Sequence, residues 1–93
     1  MPNVRLVLLF GPLRGLVGKE EITVEAKNLK EVLIKLIKSY GENITKIFFN
    51  EKGKGHSFNF LIINGVNYSV DEVLRLEFPK DVTIYVWPAL DGG

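Results

Sequence analysis

The spacing of apolar residues divides this chain into strands and helices. Val4-Arg5-Leu6-Val7-Leu8-Leu9-Phe10 is nearly all apolar and stops at Gly11-Pro12, the pattern of a strand inside a sheet with little wet surface on either face. Gly11, Pro12, Gly15 and Gly18 then punctuate a stretch that reads as a loop carrying Leu13 and Arg14. From Glu21 to Ala26 polar and apolar residues alternate, placing Ile22, Val24 and Ala26 on one side, so the first two strands should form a hairpin with one wet face.

Leu29, Val32, Leu33, Leu36, Ile37 and Tyr40 recur at helical spacing, with Lys30, Glu31, Lys35 and Lys38 on the other side. Asn28 is a favourable N-cap, and Glu31 three residues later fits the capping-box partner that reaches back to the cap's N–H. Gly41 is expected to supply a left-handed stop. Ile44, Ile47 and Phe48 fit a short helix, while Ile47-Phe48-Phe49 would also suit a strand; the helix is the favoured reading. A polar, glycine-rich turn over Glu51 to His56 leads into the apolar strand Phe58 to Ile63. Asn64-Gly65 is a strong hairpin-turn signal into Val66-Asn67-Tyr68. Val70 to Leu76 reads as a turn plus irregular structure, and Pro79-Lys80-Asp81 turns the chain into a last strand, Val82 to Trp87.

A hairpin, a long helix, a further strand pair and a final central strand describe an α+β fold, the β-grasp or ubiquitin-like architecture. It has a mixed sheet with one long helix packed across one face. The first and last strands should lie side by side and parallel, since a crossover separates them. Residues 1–87 form the domain in this reading. Residues 88–93, Pro88-Ala89-Leu90-Asp91-Gly92-Gly93, form a flexible tail. Without Cβ atoms, Gly92 and Gly93 give that tail its smallest cross-section. Fully extended, six residues reach roughly 20 Å, enough to carry a carboxylate on Gly93 into a partner's active site.

Composition narrows the functional classes. Ninety-three residues with 46% hydrophobic content suffice for one core. Twelve Lys+Arg against eleven Asp+Glu leave a net charge of +1, which gives no reason to expect nucleic acid or an acidic membrane as partner. The sequence has no cysteine, so disulfides, thiolate metal sites and cysteine nucleophiles are excluded. With no apolar run near the ~20 residues a bilayer requires and no basic-then-apolar leader, a cytoplasmic location is expected.

No self-contained active site emerges. Gly18-Lys19-Glu20 resembles the end of a phosphate loop, but Leu13 stands where that motif needs glycine and Glu20 where it needs a hydroxyl. His56, the sole histidine, has no second ligand at metal spacing. Asp71 and Glu72 are adjacent, so their carboxylates diverge and a turn or helix start explains them better than acid–base chemistry.

The opening strand with Leu13-Arg14, the strand into Asn64-Gly65, and Asp81 to Pro88 followed by Gly92-Gly93 together resemble the MoaD/ThiS-type ubiquitin-like sulfur carriers. Among these the small subunit of molybdopterin synthase and the archaeal small modifier proteins are most similar. The resemblance runs along nearly the whole chain. It implies that Gly93 is the reactive terminus and Gly92 its companion, and it matches Phe10, Trp87 and Pro88 to family positions. From the residues themselves, with Val4, Leu6, Leu8 and Phe10 facing the helix, Val7 and Leu9 lie on the uncovered sheet face and are expected to form a partner-binding platform with Trp87, Pro88 and Leu90. Ala89 stands where a second proline is usual, and Asp91 where a small residue is common.

The resemblance also implies a function without an enzyme activity of its own and without a bound cofactor or metal. An E1-like adenylating enzyme would use ATP to activate Gly93, and a persulfide enzyme would supply sulfur. The resulting thiocarboxylate would donate sulfur in molybdenum or tungsten cofactor synthesis beside the larger catalytic subunit of molybdopterin synthase. Conjugation to target lysines and sulfur donation for tRNA thiolation use the same tail. A purely structural β-grasp module with incidental glycines is the third possibility.

Overall fold

The structure, a computed structural model, describes residues 1–8, 11–49, 51–53, 55 and 59–88, and for Pro12, Asn59, Phe60 and Pro88 the backbone alone. In chain order the elements are β1 (Asn3–Leu8), α1 (Pro12–Val17), β2 (Glu21–Glu25), α2 (Leu29–Tyr40), α3 (Asn43–Phe48), β3 (Asn59–Ile63), β4 (Val66–Ser69), α4 (Val70–Leu74) and β5 (Val82–Pro88). The strands form one sheet in the order β2-β1-β5-β3-β4.

The first and last strands pair in parallel, Val4 beside Val82 through Leu8 beside Val86. Since parallel neighbours need a long crossover, everything from α1 to α4 serves as that connection. β5 is therefore the central strand, with β3 antiparallel on its other side. This is the expected β-grasp.

Alternation decides which side of the sheet is dry. Val4, Leu6 and Leu8 of β1 and Ile84 and Val86 of β5 are buried, together with Leu29, Val32, Leu33 and Leu36 of α2 and Ile44 and Phe48 of α3. Each large side chain in this layer contributes about 1.5–3 kcal/mol by leaving water. β1 is not buried on both faces, contrary to its apolar composition: Arg5 is exposed and Val7 half-buried. Among the described residues, no helix buries their side of the strand.

The cap of α2 forms, with Asn28 Oδ1 accepting from the Glu31 N–H at 3.0 Å. The Glu31 carboxylate accepts from the Lys27 N–H at 2.9 Å rather than from that of Asn28. With Asn28 nearly fully extended (φ −157°, ψ 171°), the N–H in reach is the one a residue earlier. Gly41 ends the helix by donating to the Ile37 carbonyl at 2.8 Å. Its φ of 92° suits glycine, but ψ of 174° is extended and not left-handed helical as expected.

Two segments expected to be irregular are helical. α1 starts on Pro12, whose missing N–H costs nothing in a first turn, and stops on left-handed Gly18, whose N–H reaches the Arg14 carbonyl. Leu13 and Val17, four residues apart, are buried by it. α4 starts in a full capping box: Ser69 Oγ accepts from the Glu72 N–H at 3.1 Å, and the Glu72 carboxylate accepts from the Ser69 N–H at 2.9 Å. The turn at Asn64-Gly65 has positive φ at both residues, 52° and 79°, as a tight hairpin between β3 and β4 requires.

Candidate functional site, the open sheet face and the end of the last strand

Trp87 is the penultimate residue of β5, one position before the strand ends at Pro88. Val86 is buried in the core, so alternation turns Trp87 to the opposite face of the sheet. Trp87 and Tyr85 are each 43% exposed. Tyr85 sits between two register neighbours, Val7 on β1 and Ile62 on β3, and both are half-buried. Val7, Ile62, Tyr85 and Trp87 thus form an apolar and aromatic patch across three strands.

A charged pair borders the patch. Arg5, on the same face of β1 as Val7, donates from Nη2 to Glu21 Oε2 at 2.6 Å and from Nε to the same oxygen at 3.1 Å. That hydrogen bond, and then the carboxylate's charge, raise the guanidinium pKa further. Arg5 therefore remains a fixed cation at the patch edge, although an exposed pair of this kind adds little stability.

The sequence-predicted site residues divide by position. Trp87 is brought to the open face beside Tyr85. Pro88 closes β5, and its side chain lies outside the description. Phe10, Leu90, Gly92 and Gly93 lie outside the described residues, as do Leu9, Ala89, Asp91 and His56. Tyr85 and Ile62 were not singled out in the sequence. Stepping back by two from Trp87 along β5 would have found Tyr85, whereas Ile62 needs the β3–β5 register.

Asp71 and Glu72 diverge as expected: Asp71 Oδ1 accepts from the Gly55 N–H at 3.2 Å, while Glu72 is engaged with Ser69. Among the described residues, no three metal-ligating side chains cluster, and no helix is long and apolar enough to cross a membrane.

No protein-family model matches the chain, and no curated protein matches it in sequence. Solved structures do. Small archaeal modifier protein 1 from Methanosarcina acetivorans is 26% identical, with a TM-score of 0.71 over 100% of this chain and 98% of the other. The fold is that of the ubiquitin-like small modifiers and MoaD-type carriers. A Pyrococcus furiosus protein described as molybdopterin converting factor, subunit 1, superposes with a TM-score of 0.66 at 18% identity, over 97% of this chain and 100% of the other. A chain of the Amycolatopsis orientalis BexX/CysO complex gives a TM-score of 0.68 at 20% identity, over 97% of this chain and 99% of that one. These matches span nearly the full length on both sides, so the β-grasp is shared as a whole and not as a fragment.

Proposed function

We propose that this protein is a sulfur carrier whose Gly93 carboxylate is adenylated and then converted to a thiocarboxylate. The observation that carries the reading is the exit of the chain: β5 is the central strand and ends at Pro88 beside the exposed Trp87, with Ala89 to Gly93 still to follow. Five residues reach at most about 17 Å when extended. A partner seated on the open face would then have the glycines within its own active site.

The chemistry needs nothing from the β-grasp except presentation. A carboxylate oxygen of Gly93 attacks the α-phosphorus of ATP on an E1-like enzyme, the bond to the β-phosphate breaks, and pyrophosphate leaves. Hydrosulfide, or a persulfide later released by a thiol, attacks the acyl carbon of the adenylate. AMP departs with the electron pair of the C–O bond, leaving a thiocarboxylate from hydrosulfide, or from a persulfide an acyl disulfide whose S–S bond a thiol then breaks, giving the thiocarboxylate and a new disulfide. In the reading supported best, that sulfur passes to a pterin precursor in molybdopterin synthesis, with this chain as the small subunit beside a larger catalytic one. Phe10, Trp87, Pro88 and Leu90 are the proposed partner contacts.

A second reading is favoured by the likeness to a modifier at 26% identity: a lysine amine, in place of sulfur, finally receives the Gly93 acyl group. Intact mass after incubation with the E1-like enzyme, ATP and a sulfur source separates the two. Sulfur replacing one oxygen supports the carrier. A ladder of larger covalent species, with no sulfur gained, replaces it with the modifier.

A further inference from the structure

The sheet ends at β2, and the hydrogen-bond pattern fixes which backbone groups that edge presents. Leu8 N donates to the Glu20 carbonyl at 2.7 Å, and Ala26 N to the Pro2 carbonyl at 3.0 Å. Both contacts extend the register in which Val4 faces Val24 and Leu6 faces Ile22. Bonding alternates along an antiparallel pair, so Ile22 and Val24 bond to β1. Glu21, Thr23 and Glu25 aim their N–H and C=O groups away from it, as a template for another strand.

The edge borders a groove of about 790 Å³ between β2 and α2. Ile22, Val24 and Tyr40 supply apolar surface, and Lys19, Lys35 and Lys38 line it with positive charge. Glu21 and Glu25 also line it, but alternation along β2 sets both side chains on the face opposite Ile22 and Val24, where Arg5 holds the Glu21 carboxylate. Lys35 Nζ donates to the Glu25 carbonyl, one of the outward-pointing edge groups. A lysine placed there guards an edge that would otherwise accept strands unselectively.

We propose that the groove takes an acidic, extended segment of a partner protein, which adds to β2 as a sixth strand while Lys35 exchanges the Glu25 carbonyl for a partner carboxylate. The charge of the groove selects this occupant. A second copy of the chain, pairing edge to edge, would bring two sets of the same three lysines together and is opposed by their repulsion. The groove lies at the sheet edge, away from the Tyr85 and Trp87 patch, so the proposal stands whichever chemistry the tail performs.

The test is titration of the isotope-labelled full chain with a blocked peptide of alternating valine and threonine closed by three aspartates, followed by amide shifts and hydrogen exchange. Binding should move the amides of Thr23, Glu25 and Lys35 and slow exchange at Glu21 and Thr23. Lys35→Glu with Lys38→Glu should weaken affinity about tenfold or more, and added salt should weaken the parent's binding. Thr23→Pro removes an outward N–H and no β1–β2 bond, so the fold is kept and binding lost. Should that variant fail to fold, the lysine reversals on the exposed side of α2 decide alone. Absent binding, shifts confined to the Tyr85 face, or unchanged affinity in the charge-reversed variant overturns the proposal. So does a dimer of the parent chain that Thr23→Pro dissolves, since the edge would then belong to a second copy.

Discussion

Val7 and Tyr85 are register partners in the parallel pair of β1 and β5, side by side on the sheet face opposite α2. Tyr85 is 43% exposed, more than a core residue of its size shows, and Trp87 two positions on is exposed equally. The pairing makes one surface of the first and last strands, next to the point where β5 ends.

Tyr85→Ala should therefore reduce affinity for the E1-like enzyme about tenfold or more, as loss of an aromatic anchor does. It should lower stability by no more than about 1 kcal/mol. Paired titration calorimetry and urea denaturation check this. Unaltered affinity would move recognition off the open face.

Asn28→Ala should cost about 1 kcal/mol through loss of the cap bond to the Glu31 N–H. A urea midpoint equal to the parent's would show that the cap is dispensable, with Glu31 and Lys27 holding the first turn of α2 alone.

Gly55→Ala should destabilise by about 1–3 kcal/mol, the usual range for forcing extra volume into a packed region. An added Cβ would lie 2.8 Å from Cβ of Val70 and 3.3 Å from the Asp71 carboxylate. Val70 is fully buried and cannot swing aside as a surface side chain would. A denaturation midpoint at or above the parent's contradicts this close approach.

Glu72 gives a pH dependence of definite sign. Its carboxylate pKa is lowered, first by the Ser69 backbone N–H and then by the Ser69 side chain. The folded state thus holds the charged form more strongly than the unfolded chain does. That contribution is complete above the ordinary glutamate value of about 4.3 and is lost as pH falls through the lowered folded value. The stability difference between the parent and Glu72→Gln should shrink across that acid range, and a difference that grows there would reverse the assignment.

The sequence was legible where a local pattern and the tertiary fold agree. Asn28 with Glu31, the α2 stripe and Asn64-Gly65 each specify structure within a few residues, and all three were read correctly in outline. The parallel placement of β1 and β5 followed from topology alone. α1 escaped because Gly15 interrupts its apolar spacing, and α4 because it is short, although Ser69-Val70-Asp71-Glu72 carries a capping box in plain view. The approach of Gly55 to Val70 is set by packing distant in sequence, which no local pattern encodes. Within the candidate site, Trp87 was found through its position before the tail. Tyr85 and Ile62 depend on which face of the sheet the helices cover.

The claim on which the functional account rests is that the Gly93 carboxylate is the group activated. ATP–pyrophosphate exchange by the E1-like enzyme, measured with the parent chain, with Gly93 deleted and with one residue added after Gly93, tests it most directly. The account predicts exchange that depends on the parent chain and is abolished in both variants, while their urea denaturation midpoints stay with the parent's. Exchange at the parent's rate with either variant would contradict it.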